Sequence, residues 1–233
     1  YNEELNLGNL LEKLKGAFPD FFLLIIDDSP NNLTKEMFEN HKNEKCKIIC
    51  RNRKLGRGSA VRVGFEYAIK NDYSMIVEMD SDLSHDPIDL NNMIKEFEKN
   101  NIDIIIGSRY LKKSKILNWS LSRRIFSFLA NFSAKNLLQI PITDFTNGYR
   151  IYSRRSAKKI IKNCGKIGDG FIILSEILVV LYLNNFKIDE IHSKFVNRVR
   201  GESSVGFKLI LQSFVGLIKI YLKKRKLENS LNG

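Results

Sequence analysis

Short apolar runs alternate with segments of helical periodicity along the first half of the chain. The apolar runs cover residues 21–26, 47–50, 75–79 and 102–106. Helices are predicted for residues 4–16, for residues 59–70 and after Pro87. Continuous apolar runs of this length are typical of strands that are buried on both faces of a parallel sheet. The order of strands and helices up to residue 110 therefore predicts an α/β fold with a mostly parallel sheet and helices on both faces.

The second half of the chain is richer in predicted helix. Helices are expected over residues 117–138, 154–163 and 171–184, followed by a returning strand over residues 186–196. Because the sequence contains no repeat and no linker, residues 1–204 are expected to form one domain. Residues 205–233 form an apolar, lysine-rich segment, which either belongs to this domain or lies on a membrane surface.

The apolar part of that last segment is too short to cross a bilayer. As a helix with about 1.5 Å per residue, residues 209–222 would span about 21 Å, whereas the hydrocarbon core is about 30 Å thick. Two placements stay open. The helix packs on the domain with a solvated basic tail, or it lies in the membrane interface with its lysines toward anionic headgroups.

Two carboxylates, Asp80 and Asp82, follow directly after the apolar run at residues 75–79. The carboxyl end of a strand is where α/β sheets form their ligand crevice. Two neighbouring carboxylates repel each other unless a cation neutralises them. Mg²⁺ or Mn²⁺ binds one or two carboxylates together with substrate phosphates. The sequence thus indicates a metal site, and the alternative is a surface turn rich in Asp and Ser.

Charged side chains also stand at the ends of two other predicted strands. Asp27 and Asp28 close the first strand, and Arg109 follows the strand at residues 102–106. Carboxylates bind hydroxyl and ring N–H groups, and arginine neutralises phosphate. A nucleotide-diphosphate donor that lies across this edge of the sheet would use all of these groups.

The charge balance indicates the class of partner. The 233 residues include 38 Lys and Arg against 26 Asp and Glu, which gives a formal net charge of +12. Such a balance favours a polyanion, which can be a nucleic acid, an anionic membrane surface or a phosphorylated substrate. Three cysteines without metal-type spacing indicate free thiols in a reducing compartment.

Seven short motifs occur in order along nearly the whole chain. They are YNE at residues 1–3, DDSP at 27–30, KLGRG at 54–58, DSDLSH at 80–85, GSRY at 107–110, DFTNGYR at 144–150 and NRVRGES at 197–203. This series resembles the dolichyl-phosphate mannosyltransferases, which are polyprenyl-phosphate sugar synthases of the inverting GT-A glycosyltransferase superfamily. The resemblance implies a Rossmann-like GT-A fold. Because the family's first strand precedes its Tyr-Asn-Glu motif, we expect the chain that begins at Tyr1 to lack that strand.

The resemblance also implies a role for individual residues. The guanosine of the donor would be contacted by Tyr1, Glu3 and Asp28, and its pocket lined by Ile26. Asp80 and Asp82 would hold Mg²⁺ or Mn²⁺, with Ser81 close to the donor. Donor phosphates would be bound by two arginines, and the lipid phosphate by a third. The expected catalytic residues are then Asp82, Arg109, Arg123 and Arg198, of which Arg109 and Arg198 bind the donor and Arg123 the lipid phosphate.

The implied reaction is the transfer of mannose from GDP-mannose to dolichyl or another polyprenyl phosphate, with inversion. A phosphate oxygen is already anionic at neutral pH, so no general base is required. Two anions that meet at one site require positive charge. The sequence offers it from Arg109, Arg123, Arg124, Arg150, Arg198 and Arg200.

The implied location is peripheral, at the cytoplasmic face of a membrane. This membrane is the endoplasmic reticulum in a eukaryote and the plasma membrane in a prokaryote. A membrane-anchoring subunit is a candidate partner, and nucleic acid is not expected. Two alternatives stay open: a transferase of the same fold that uses UDP-glucose, and a non-enzymatic basic module that binds nucleic acid or membrane. Ser204, where the family often has Lys, weakens the substrate assignment more than the reaction.

Overall fold

A computed structural model describes residues 1–51, 53–165, 167–168, 170, 172–197 and 207–232. The first half alternates helices and strands, as the sequence predicts: α1 (Glu4–Ala17), β1 (Leu23–Asp27), α2 (Leu33–Glu39), β2 (Cys46–Cys50), α3 (Arg57–Lys70), β3 (Met75–Glu78), α4 (Pro87–Lys99) and β4 (Ile104–Ser108). The second half continues with β5 (Lys115–Leu117), α5 (Leu121–Leu138), β6 (Arg150–Ser153), α6 (Arg154–Asn163), α7 (Ile172–Leu183), β7 (Ile188–His192), β8 (Lys194–Val196) and α8 (Phe207–Asn232).

The central sheet of the described residues has four strands in the order β3-β6-β4-β7. β4 and β7 are parallel, whereas β6 runs antiparallel to both β3 and β4. β1 and β2 form a separate parallel pair, and so do β5 and β8. β6 lies between the helices predicted for residues 117–138 and 154–163, where no strand is predicted from the sequence, and β7 and β8 follow each other where one returning strand is predicted. The sheet is therefore mixed at its centre.

Helices cover both faces of the central sheet, as predicted. Ile104 and Ile106 of β4 pack into one core, which also contains buried residues of α5, α6 and α7. Ile105 points to the opposite face and packs with residues of α1 and α4. All three isoleucines are fully buried. This alternation follows from the two-residue period of a strand, and it places the core on both sides of β4.

The pair β1-β2 is separated from the central sheet by a cavity of about 630 Å³. The cavity is lined along its length by β1 and β3, with α1 and α3 on its sides. Within the described residues β1 pairs only with β2, and β3 only with β6. The apolar run at residues 21–26 is predicted to form a strand that is buried on both faces. This prediction is wrong for residues 23–26 of β1, which are half-buried because they face the cavity.

The last helix, α8, is attached to the main core. Leu217 and Ile220 are buried there, and Lys223 Nζ lies 2.7 Å from Glu176 Oε1 of α7. Across the described parts of the chain, every helix is too short or too polar to span a bilayer.

Candidate active site

Asp80, Ser81 and Asp82 follow β3 and line the cavity. The turn is held by hydrogen bonds to its neighbours. The Ser84 N–H donates to Asp82 Oδ1 at 3.0 Å, and the Asp80 N–H donates to Nδ1 of His85, also at 3.0 Å. His85 Nε2 is 2.9 Å from Oδ1 of Asn147. The buried His85 thus fixes the backbone at Asp80, and Asp82 is itself buried.

Arg57, in the first turn of α3, reaches the same carboxylates. Its Nη1 donates to Asp80 Oδ1 at 2.6 Å, and its Nη2 and Nε donate to Glu78 Oε1 at 2.8 and 3.1 Å. Burial alone would raise the pKa of the Asp80 carboxyl, but Arg57, with smaller contributions from His85 and Arg109, outweighs it and lowers this pKa to about 2. Asp80 is therefore a carboxylate at every physiological pH. From the sequence, Arg57 is expected only as part of the KLGRG motif, without a role of its own.

Asp28, which the resemblance assigns to the guanosine, is buried and bound to the loop that carries the KLGRG motif. Its Oδ1 accepts from Arg51 Nε at 2.6 Å and its Oδ2 from the Leu55 N–H at 2.8 Å. Arg51 also donates to Ser59 Oγ of α3 at 2.6 Å. Two of the sequence motifs are therefore joined through this carboxylate.

Tyr1, Glu3 and Ile26 line the cavity together with Asp80, Ser81 and Asp82. The Tyr1 side chain is about half exposed, and Lys54 Nζ lies 5.0 Å from the centre of its ring. The N–H of Asn2 donates to Ser29 Oγ at 2.7 Å, which ties the YNE motif to the DDSP motif. The structure thus places these three predicted donor residues in the lining of the same cavity as the Asp-x-Asp pair, whereas Asp28 and Arg109 are not among its lining residues.

Arg109 is buried and bound to Asp144, which is fully buried. Its backbone N, its Nε and its Nη2 donate to the two carboxylate oxygens at 3.0, 2.8 and 2.7 Å. Burial would lower the pKa of Arg109, but Asp144 outweighs this effect and raises it. The guanidinium also lies 5.4 Å from the ring centre of Trp119 and 5.5 Å from that of Phe195. These contacts fix its charge in one place.

Arg123, near the start of α5, lies on the Trp119 ring as well. Its guanidinium carbon is 4.3 Å from the ring centre, and its Nη1 donates to Asn197 Oδ1 at 2.6 Å. Trp119 thus contacts two of the predicted site arginines, a position that the sequence analysis does not assign to it. Arg198 and Arg200 lie outside the described residues.

Two other arginines of the predicted charge cluster have structural partners. Arg150 is fully buried and donates to the carbonyl oxygens of Phe145, Asn147 and Leu174. Arg150 is expected from the sequence to contribute positive charge where the two anions meet, and these carbonyls hold it in the core. Arg124 donates to the carbonyl oxygen of Ile116 at 2.8 Å.

The donor set of the Asp-x-Asp turn fits a hard divalent cation that is completed by substrate. Throughout the described ranges, His, Cys, Asp and Glu side chains form no group of three or more that could hold a metal ion by themselves. Mg²⁺ and Mn²⁺ do not need such a group, because they keep waters and take phosphate oxygens as further ligands. Asp80 and Asp82, which both line the cavity, match this requirement.

The fold and the order of its motifs define a GT-A glycosyltransferase. The chain belongs to glycosyl transferase family 2, whose profile matches residues 1–161. It is therefore an enzyme, and the resemblance to the polyprenyl-phosphate sugar synthases is confirmed.

Two relatives are similar over most of the chain. A polyprenol monophosphomannose synthase of Mycolicibacterium smegmatis is 29% identical over 208 residues, which cover 88% of this chain and 78% of the relative. An undecaprenyl-phosphate mannosyltransferase of Micrococcus luteus is 28% identical over 228 residues, covering 97% of this chain and 92% of the relative.

Solved structures share the fold at low sequence identity. Glucosyl-3-phosphoglycerate synthase of Mycobacterium tuberculosis, in complex with Mn²⁺, UDP-glucose and phosphoglyceric acid, matches with a TM-score of 0.68 and 14% identity, covering 96% of this chain and 76% of that one. The same enzyme with Mn²⁺, UDP and glucosyl-3-phosphoglycerate gives a TM-score of 0.67, also at 14% identity and with the same coverage. This likeness supports the GT-A architecture alone.

Proposed function

We propose that this enzyme transfers mannose from GDP-mannose to dolichyl or another polyprenyl phosphate, with inversion at the anomeric carbon. The observation that carries the proposal is the shared cavity, whose lining includes Tyr1 and Glu3 together with Asp80 and Asp82. The two relatives named above, which are named for mannose and polyprenyl phosphate, support the choice of substrates.

The proposed donor site consists of residues that line the cavity and of the neighbouring Asp28. Tyr1, Glu3 and Ile26 bind the guanosine, and Asp28 acts beside them through the loop that it anchors. Asp80 and Asp82 hold Mg²⁺ or Mn²⁺, and Ser81 lies next to the donor. When bound, the metal neutralises the negative charge of the diphosphate leaving group. Arg109 and Arg198 are assigned to the donor phosphates.

The acceptor supplies the nucleophile in this proposal. Its phosphate oxygen attacks the anomeric carbon of mannose, the bond from that carbon to the GDP oxygen breaks, and GDP leaves with the electron pair. Because the phosphate is already anionic, no side chain has to remove a proton. Arg123 holds the acceptor phosphate, and the fixed charge of Arg109 reduces the repulsion between the two anions.

The lipid acceptor requires a membrane, and we propose a peripheral position at its cytoplasmic face. Large apolar side chains of α5 and α8 are exposed, among them Phe126, Phe128, Phe132, Phe214 and Leu222. Residues 205–233 are proposed to serve as the amphipathic basic segment next to that surface, in addition to the core contacts of α8. A membrane-anchoring subunit is a further proposed partner.

Transfer of labelled sugar into organic-extractable lipid tests the proposal. With dolichyl phosphate, labelled GDP-mannose is expected to give product, EDTA is expected to stop its formation, and UDP-glucose is expected to give none. Asp82→Ala should abolish transfer and leave the fold intact, whereas Asp189→Asn, at an exposed carboxylate of β7 outside the cavity lining, should change nothing. Near-normal turnover of Asp82→Ala would refute the metal assignment.

Each of the two alternatives predicts a different result. Product from UDP-glucose alone would make the enzyme a glucosyltransferase of the same fold. Salt-sensitive DNA binding without metal-dependent nucleotide binding would instead favour a basic binding module. The carboxylates that line the cavity disfavour nucleic acid as a ligand, because they repel its negatively charged phosphate backbone.

A further inference from the structure

Arg57 forms an ion pair with Asp80, one of the two carboxylates that would bind the proposed metal. Its guanidinium lies between Glu78 and Asp80, at 2.8 Å from Glu78 Oε1 and 2.6 Å from Asp80 Oδ1. Both carboxylates are at least partly withdrawn from solvent, as is Arg57 itself. An ion pair in this setting is strong because solvent screens it little.

Arg57 also changes the charge of the metal site. Glu78, Asp80 and Asp82 are three carboxylates within five consecutive residues at the end of β3. Glu78 additionally accepts a hydrogen bond from the Tyr152 hydroxyl at 2.8 Å, so it is fixed in place. Without Arg57, this segment would present three negative charges to a divalent cation. With Arg57 in place, one of these charges is compensated, and an oxygen of Asp80 is engaged.

Resting on the proposed function, we propose that Arg57 is a resident counter-cation that competes with the divalent metal for Asp80. The nucleotide-free protein therefore binds metal weakly, and full coordination requires Arg57 to release Asp80. After release, Glu78 still holds the guanidinium, because that contact uses Nε and Nη2 rather than the Nη1 that binds Asp80. Arg57 is thus a positioning residue that sets metal affinity.

The position of Arg57 depends on a glycine on the neighbouring segment. The Gly148 carbonyl lies 3.5 Å from Arg57 Nη2, and a Cβ atom added at Gly148 would overlap the guanidinium. Since that group is the end of a flexible side chain, an alanine at position 148 is expected to push it aside. Gly148→Ala therefore displaces Arg57 without removing any charge.

The test is the affinity of the nucleotide-free protein for Mn²⁺, measured by the electron paramagnetic resonance signal of free Mn²⁺. Gly148→Ala is expected to bind Mn²⁺ about tenfold more tightly than wild type, since Asp80 no longer has a competing cation. Gly16→Ala is the matched control, because its added Cβ meets no atom within 4 Å and the residue lies on α1 outside the cavity lining. It should bind Mn²⁺ with wild-type affinity.

A second variant keeps the proposal testable if Gly148→Ala does not fold. Arg57→Met combined with Glu78→Gln removes one positive and one negative charge, so the net charge of the site does not change. It should also bind Mn²⁺ more tightly. Arg62→Met removes an exposed arginine from the same helix and should leave Mn²⁺ affinity unchanged.

The outcomes separate this proposal from the proposed function. Wild-type affinity in both Gly148→Ala and the double variant would overturn the role of Arg57 alone. An equal gain in Arg62→Met would also overturn it, because net charge would then explain the effect. If no variant and no wild-type protein bound Mn²⁺, the metal assignment to Asp80 and Asp82 would fail together with it.

Discussion

Three arginines in the interior of this protein have a partner of opposite charge or several carbonyl oxygens. Arg109 lies on Asp144, Arg51 on Asp28, and Arg150 on three carbonyls. A buried charge without such partners would cost several kcal/mol, so each of these contacts constrains the shape of the site. The site arginines are therefore held in place before any substrate arrives.

The pair of Arg109 and Asp144 allows a direct test of this constraint. Asp144→Asn leaves a buried arginine without its counter-charge, so we expect a loss of about 3–5 kcal/mol in unfolding free energy. Urea denaturation measures this loss. Asp20→Asn, in an exposed pair with Lys45, should cost at most about 1 kcal/mol. Equal losses in the two variants would contradict the structural role of Asp144.

Cys164 gives a prediction about pH. Burial, reinforced by the nearby Glu176, raises the pKa of this thiol to about 12. At pH 8 only about one molecule in ten thousand then carries the reactive thiolate. Iodoacetamide should therefore modify Cys164 far more slowly than the half-exposed Cys50, and its rate should rise about tenfold per pH unit. Peptide mass spectrometry measures both rates. Comparable labelling of Cys164 and Cys50 at pH 8 would contradict the raised pKa of Cys164.

The residue pattern predicts some of these groups and not others. Asp80 and Asp82 can be predicted because they follow an apolar run directly in sequence. Arg57 lies 23 positions before Asp80, and its role depends on how α3 packs beside β3. Arg109 and Asp144 are 35 positions apart. No periodicity connects such pairs, so their contact becomes visible only in the fold.

At the scale of elements, the strands whose sequence is continuously apolar are the ones that can be predicted. β4, with three fully buried isoleucines, is an example. β6 begins with the buried Arg150 and exists because it pairs with β3 and β4, which are far away in sequence. The short helix α2 is likewise absent from the sequence prediction. Long-range pairing thus specifies what local periodicity does not.

A charged contact adds to the apolar packing that attaches α8 to α7. Lys223 Nζ donates to Glu176 Oε1 and to the Asn163 carbonyl oxygen, both at 2.7 Å. Glu176 is almost fully buried, so Lys223→Met should leave an uncompensated charge and cost about 3 kcal/mol of unfolding free energy. Lys219→Met, at an exposed position of the same helix, serves as the control. Equal stability of both variants in urea would refute the role of this contact.

For the whole molecule, the surface combines a net positive charge with exposed aromatic side chains on two helices that pack against each other, α5 and α8. Phe128 and Phe132 stack at 6.0 Å between ring centres, and each is more than half exposed. Exposed apolar groups of this size on a soluble surface are typical of an interaction site. Together with the charge of +12, they favour an anionic membrane over a neutral protein partner.

Binding to lipid vesicles tests whether the exposed aromatic surface of α5 and α8 contacts a membrane. The protein should sediment with vesicles that contain anionic lipid and much less with purely zwitterionic ones, and salt should weaken the binding because it screens the charges. Phe128→Ser combined with Phe132→Ser should weaken binding by at least about tenfold, since each phenylalanine contributes roughly 1.5–3 kcal/mol when it leaves water. Ile88→Ser removes an apolar group of α4 that is 71% exposed, more than either phenylalanine, and should have no effect. If Ile88→Ser weakened binding as much, the attraction would be unspecific, and α5 would not be the membrane-facing element.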